Sequence, residues 1–312
     1  MILRGRGPRV WGALAIVYVV WGSTYLGILL AIRTIPVFTM GALRFLIAGA
    51  LLYLWTTRRG QPGGRPGWRQ WRAAAVVGGL LLLVGNGGVA WAETRVDTGV
   101  SSLIIATVPL WMALFDRAAY GQRLNGTSVA GLLVGLAGAG LLAGPTGPDR
   151  LDVAGAGALL LSAIAWSAGS LYSRTAPLPK QPLVGASMQM LAGGAMFAVI
   201  ALVLGEPGRI DHVSTQSILA LAYLIVFGSL VAFSAYIWLL RSTSTALVST
   251  YAYVNPVVAV CLGWAIENEP IGPRTIVAGA MILTAVVLIV SARPVDSARR
   301  PQASAAAPAR AR

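Results

Sequence analysis

Charge, cysteine and histidine are all scarce in this chain. Only 11% of its 312 residues are charged, less than half of the roughly 25% typical of soluble domains. That excludes an ordinary water-soluble enzyme and a long disordered chain. One cysteine, Cys261, and one histidine, His212, exclude a disulfide framework and any Cys/His metal cluster. Neither residue receives a role. Acids are scarcer than bases, 10 against 24, which leaves a net charge of +14. In a soluble protein that balance would suggest nucleic acid. Here its meaning depends on where the bases sit.

What the chain has in abundance is apolar sequence. Hydrophobic residues make up 56%, and 37 glycines accompany them. A helix needs about 20 mostly apolar residues to cross the hydrocarbon core of a bilayer. That ruler predicts ten spans: Trp11–Ile32, Phe38–Thr57, Ala73–Ala92, Thr98–Phe115, Gly126–Ala143, Val153–Tyr172, Leu183–Gly205, Ser217–Leu240, Ala246–Ile266 and Thr275–Ala292. Arg44 is the one charged residue inside them. The links are too short for a soluble domain. The expected class is an all-α integral membrane protein. The N-terminal arginines followed by a long apolar run, with no small-residue cleavage site, read as a retained signal anchor.

Basic residues collect on the cytoplasmic side of membrane proteins. With the N-terminus inside and ten crossings, only Arg33, Arg95, Arg150, Arg209 and Arg274 fall outside, while of the acids only Asp116 and Asp296 fall inside. Both termini are therefore expected in the cytoplasm. Topology and anionic headgroups account for the basic charge, so no nucleic-acid partner is needed. Residues 293–312 are rich in Ala, Pro and Arg without apolar periodicity, and read as a disordered basic tail.

The chain also repeats itself. Val129-Ala130-Gly131 matches Val277-Ala278-Gly279, and Pro109 matches Pro256. Leu46-Ile47-Ala48-Gly49 resembles Met190-Leu191-Ala192-Gly193, and Trp21 with Ser23 resembles Trp166 with Ser167. The shared order and an offset of roughly 145 residues make a five-span repeat. The expected units are residues 11–144 and 153–292, between a cytoplasmic segment 1–10 and the tail. Five spans is an odd number, so the second copy enters the membrane inverted. Two five-helix inverted-topology repeats with a site near the midplane are the architecture of many secondary transporters.

Several motifs then carry a family resemblance. Trp21-Gly22-Ser23-Thr24-Tyr25, Arg44-Phe45 with Gly49, Gly85-Asn86, Ala92-Glu93, Thr107-Val108-Pro109-Leu110 and Ser249-Thr250-Tyr251-Ala252-Tyr253-Val254-Asn255-Pro256 resemble the EamA-type transporters of the drug/metabolite transporter superfamily. The resemblance runs over roughly residues 10 to 292. It implies a bacterial inner-membrane exporter of amino acids or related small metabolites. One departure is Gly121-Gln122, where the family often has Gly-Glu; Glu269 appears in the second half, so no role carries over to the first acid.

The residues themselves nominate a site. Charge as deep as Arg44 is costly unless solvated or paired, and commonly marks a pathway; Glu93 is its candidate partner, with Asp97 behind it. Glu93 is also the acid placed to bind a coupling proton. Pro109 and Pro256 each remove a backbone donor, freeing the carbonyls of Ile105 and Ala252. Tyr18, Trp21 and Tyr25 share a face of the first span, with Ser23 and Thr24 nearby; Trp166 and Ser167 mark the sixth. In the ninth, Ser249, Tyr253 and Pro256 form one face while Tyr251 and Asn255 form nearly the opposite one, and which faces the pathway stays open. Asn86 is a candidate ligand, whereas Gln189 leans toward helix-to-helix bonding. No nucleophile–base pair or ATP-binding motif is present, which argues against an enzyme; nothing calls for a cofactor. The expectation is a secondary exporter working by alternating access. The alternatives are a facilitator or exchanger, a drug-like cation exporter of the same fold, and a non-transporting scaffold.

Overall fold

The structure, a computed structural model, describes residues 7–58, 65–96, 101, 104–121, 125–143, 152–267 and 272–291. The tail, Asp97, Gln122 and Glu269 lie outside these residues. Among the described residues there is no strand. Helix α1 is Pro8–Ala31, α2 Val37–Arg58 and α3 Trp68–Ala92. Then follow α4 Val108–Tyr120, α5 Gly126–Ala143, α6 Val153–Thr175 and α7 Pro182–Val203. Helix α8 is Thr215–Ser242, α9 runs as Thr245–Ser249 and Tyr251–Glu267 on either side of Thr250, and α10 is Pro273–Ser291. Six of these, α1, α2, α3, α6, α7 and α8, are long and apolar enough to cross a membrane.

Local chemistry sets the boundaries. Pro8 and Pro182 open their helices, where a missing N–H costs nothing. Asp152, Ser214 and Ser244 cap α6, α8 and α9 through their side-chain oxygens. Gly121 and Gly205 end α4 and α7 with left-handed φ of 64° and 65°. The cap of α2 comes from far along the chain: Glu206 accepts from the N–H groups of Phe38 (3.3 Å) and Thr39 (2.7 Å) and from the Thr39 hydroxyl (2.9 Å). A buried carboxylate is tolerated there because orphan N–H groups and the positive end of the helix dipole surround it.

In lipid, helix association relies on close packing rather than on expelling water. Helix α2 lies along α7, and α5 along α10. A Cβ on Gly49 would stand 2.9 Å from the Leu191 nitrogen, and one on Gly194 would stand 2.8 Å from the Leu46 nitrogen. At an offset of 145 residues, one more than in the four-residue sequence match, Leu46 corresponds to Leu191 and Gly49 to Gly194, so the contact is reciprocal. In the same way α1 packs on α8 where α6 packs on α3. Outward-facing Val19, Leu54, Leu202, Leu219 and Ile276 are exposed, which suits a lipid-facing surface.

Two departures from regular helix recur in both halves. Helix α3 widens to π-helical bonding over Gly79–Gly87, and α8 does so over Leu224–Phe233. Near Thr107 and Thr250 the chain breaks. At each the threonine N–H and hydroxyl both turn back to the carbonyl three residues earlier, Ile104 and Leu247. This corrects the expectation for Pro109. The expected span Thr98–Phe115 is not one helix kinked at its middle; α4 starts at Val108, and Pro109 sits in its first turn. Pro256 does lie inside α9.

Candidate functional site

Four aromatic rings form the centre. Trp21 on α1 meets Trp166 on α6 edge to face, centroids 5.4 Å apart, and Tyr251 on α9 in the same manner at 5.1 Å. Tyr236 on α8 completes the cluster, 4.9 Å from Trp21 and 5.5 Å from Trp166. Each polar edge is satisfied. Trp21 Nε1 donates to the Gly228 carbonyl at 3.2 Å, and Trp166 Nε1 donates to the Tyr236 hydroxyl at 2.9 Å, which also meets the Ser170 hydroxyl at 2.6 Å. Buried indole and phenol groups need such partners.

Above this cluster lies a cavity of about 70 Å³. Trp21, Thr24, Tyr25 and Ile28 of α1 line it, with Gly85, Asn86 and Val89 of α3. Ser162 and Trp166 of α6, Tyr251 and Asn255 of α9, Ile105 and Val108 close the wall. At roughly 10–15 Å³ per water on such a measure, it holds a handful of waters or part of a small solute. The lining runs from Trp21, Trp166 and Asn255, near the middles of α1, α6 and α9, to Ile28 and Val89, toward the C-terminal ends of α1 and α3, and so leads to one end of the bundle. The other end is closed by the rings and by the Tyr18 hydroxyl against the Thr250 hydroxyl, 2.5 Å apart.

The π-helical segments supply the polar groups. Arg44, 2% exposed, donates from Nε to the Ser229 hydroxyl at 2.9 Å and from Nη1 to the Asn86 side-chain oxygen at 3.3 Å. Asn86 belongs to the π segment of α3 and Ser229 to that of α8, so one guanidinium ties the two together. Gly228 makes room for it: a Cβ there would stand 2.9 Å from Nη2. Ser162 reaches the Val84 carbonyl of the α3 segment at 3.1 Å.

The expected Arg44–Glu93 pair does not form. Among the described residues Arg44 has only neutral partners, the Phe45 ring at 4.8 Å among them. Glu93 sits one turn beyond Val89 on the cavity side of α3, and both its carboxylate oxygens are buried without a hydrogen-bond partner. The Nε and Nη1 donors of Arg44 are taken instead by Ser229 and Asn86.

Of the residues nominated by sequence, the cavity gathers Trp21, Thr24, Tyr25, Asn86, Trp166, Tyr251 and Asn255. Arg44 stands behind Asn86. Asn255, oriented so that its nitrogen donates to the carbonyls of Tyr18 (3.2 Å) and Tyr251 (3.0 Å), pins α9 to α1. Six nominees lie elsewhere, among them Pro256, which sits inside α9. Ser23 bonds Tyr223, and Tyr18 belongs to the closed end. Ser167 bonds the carbonyls of Val108 and Ala163; Tyr253 packs on α5, donating to Leu132. Pro109 borders a separate void of about 30 Å³ with Ser249, Asp116 and Ser128. So the Tyr251/Asn255 face of α9 meets the cavity. Tyr236 was missed by sequence reasoning; a fully buried tyrosine beside a π segment leaves no local signal.

The sequence pattern of the EamA-like transporter family matches twice, over residues 10–144 and 153–291. The chain belongs to the EamA-like transporter family. An Escherichia coli K12 protein described as an uncharacterized inner membrane transporter, YedA, is 37% identical over 282 residues, covering 90% of each chain. A probable terminal-alkyne amino-acid exporter of Streptantibioticus cattleyicolor is 25% identical, covering 90% of this chain and 92% of that one. A crystal structure superposes with a TM-score of 0.74 at 23% identity, covering 91% and 96%; it supports the fold alone. The double match places the family unit on both halves, on either side of the Trp21–Trp166 contact. The family and the relatives' names point to a membrane transporter rather than an enzyme.

Proposed function

We propose that this EamA-family protein is a secondary exporter of amino acids or related small metabolites in the bacterial inner membrane, with the cavity under Tyr25 and Val89 as its binding site. One observation carries the reading: two buried ionisable groups of opposite type, Arg44 behind Asn86 and Glu93 beyond Val89, flank an aromatic cavity without bonding each other. Leaving either unpaired in a low-dielectric site is costly. A zwitterionic solute would meet both needs, its carboxylate drawn toward Asn86 and Arg44 and its ammonium toward Glu93 and the tyrosine and tryptophan faces.

Ten spans in two inverted five-helix repeats, with both termini cytoplasmic, give this site its mechanism. The cavity then opens outward. Exchanging the roles of the halves, with motion at the Thr107 and Thr250 breaks and sliding at the π segments, opens the other end. The family's amino-acid exporter relative supports the substrate class. Unpaired Glu93 beside four aromatic rings favours a second reading, an exporter of organic cations, and Glu93 as the carrier of a coupling proton belongs to either.

The test is counterflow in proteoliposomes with labelled amino acids, organic cations and carboxylates, with and without a pH gradient. Saturable counterflow of zwitterions, lost in Arg44→Ala, is expected. Saturable counterflow of cations alone, indifferent to Arg44→Ala, selects the second reading. No counterflow from folded protein across the panel overturns both and points to a scaffold.

A further inference from the structure

At the end of the bundle opposite the mouth of the substrate cavity, a groove of about 280 Å³ opens between α3 and α6. Its wall is graded. Arg69 and Arg72, in the first turns of α3, form the rim; Tyr172 and Pro177 form the opposite edge; Ala73 and Val76 form the deeper floor. Arg69, Arg72 and Val76 are spaced three and four residues apart, so they follow one stripe of α3. Val76 is 49% exposed and Tyr172 39%, which gives the floor an apolar surface facing lipid.

Among the described residues neither arginine makes an ion pair or a hydrogen bond. The flanking stretches 65–72 and 172–182 add Arg65, Arg174 and Lys180 and contain no acid. Exposed Trp68 stands at the start of α3, where aromatic side chains mark the interface. Positive-inside bias explains basic residues at this end. It does not explain a groove with two free guanidiniums at its mouth and an apolar floor one turn deeper. That order, phosphate-binding then apolar, is the order of groups in a phospholipid.

We propose that this groove binds one anionic phospholipid of the inner leaflet, its phosphodiester held by Arg69 and Arg72 and an acyl chain lying along Ala73 and Val76. Basic pockets between membrane helices suit such headgroups. The site sits against the outer face of α3, whose π segment carries Asn86 at its far end, so an occupied groove braces a helix that builds the transport site.

The test uses the full chain in detergent, with phosphatidylglycerol, cardiolipin and phosphatidylcholine followed by native mass spectrometry and thermal shift. Wild type is expected to retain one anionic lipid and to be stabilised by it, with no response to phosphatidylcholine or inorganic phosphate. Arg69→Gln with Arg72→Gln is expected to weaken retention ~10-fold or more, while Arg58→Gln with Arg117→Gln, the same charge loss at the same end, leaves it intact. Val76→Trp, which fills the floor and keeps both charges, provides the same readout if the double variant does not fold. Equal retention by the groove and control variants overturns the site. So does stabilisation by inorganic phosphate alone, which would make it a simple anion site.

Discussion

Trp21 and Trp166 stand at matching places in the two repeats and meet edge to face, their planes at 81°. The indole of Trp21 is anchored to the α8 backbone and that of Trp166 to Tyr236 on the same helix. Both rings therefore depend on α8, and a shift of its π segment moves the floor of the site.

Trp21→Phe keeps one aromatic ring, loses the pyrrole part of the indole and removes the bond to the Gly228 carbonyl. A net loss of about 1 kcal/mol is expected for one such bond, visible as a small fall in thermal midpoint. Trp166→Ala removes a whole ring and opens a hole in the cluster, so a cost of about 3–5 kcal/mol is expected. Counterflow of every solute should fall with it. A Trp166→Ala protein as stable as wild type would separate the ring from the scaffold.

Arg44 joins Asn86 and Ser229 through a planar fork, which lysine lacks. Arg44→Lys retains the charge and loses one of the two bonds. It is expected to fold, to show at least about tenfold lower counterflow of carboxylate solutes, a difference of ~1.4 kcal/mol, and to leave cation transport nearly unchanged. Asn86→Ala should resemble it. The double variant should be no worse than the worse single one, because both act through one network.

The reciprocal contact of α2 and α7 makes a symmetry prediction. At Gly49 and at Gly194 an added Cβ meets backbone under 3 Å away, and backbone cannot swing aside as a side chain can. Gly49→Ala and Gly194→Ala should each cost about 1–3 kcal/mol as overpacking, and by similar amounts. Thermal unfolding in one detergent checks this. Gly12, which has nothing near its Cβ position, is the control.

The fold was legible where chemistry is local. Apolar runs located the six helices long and apolar enough to cross a membrane, and the repeat matched Trp21 with Trp166 in sequence though not their contact. The candidate site was legible where a helix face sufficed, as for Trp21 and Tyr25, although Tyr18 on that face bonds Thr250 outside the cavity. It failed where long-range geometry decides. Glu206 reads as a loop acid and instead caps α2, because that depends on a link 168 residues away. The π segments leave no signature in hydropathy, yet they steer Arg44 toward Asn86 and Ser229 and away from Glu93. The break at Thr107 was hidden because Pro109, two residues on, drew the attention proper to a kink.

Asp152 sets a pH dependence outside the membrane spans. Its carboxylate accepts from the Gly155 N–H at 2.8 Å and lies 3.6 Å from Arg95. The backbone bond, with Arg95 behind it, holds its pKa below the ordinary aspartate value. A carboxyl depressed in the folded state stabilises fully above its unfolded pKa, about 3.9, and loses that contribution as pH falls through the folded value. Asp152→Ala should therefore lower the thermal midpoint near neutral pH, and the gap from wild type should narrow below pH ~4. A gap that stays constant across this range would assign the effect to helix propensity.

In the proposed function Glu93 decides which charges the cavity recognises. Its two oxygens are buried with nothing bonded to them, one turn from the Val89 wall, while Arg44 is committed to Asn86 and Ser229. A carboxylate in that position gains most from a cation arriving in the cavity. Glu93→Gln keeps the shape and removes the charge. It should raise the half-saturation concentration for solutes bearing an ammonium group by roughly tenfold, the scale of one charge-assisted hydrogen bond, and leave carboxylate-only solutes unaffected. Counterflow should persist, since exchange needs no net proton movement. If instead counterflow is intact for every solute and only accumulation driven by a pH gradient disappears, the side chain carries a proton and the ammonium is held by the aromatic faces alone. Glu93→Asp separates the two further: a shortened arm withdraws from a bound ammonium but still exchanges protons.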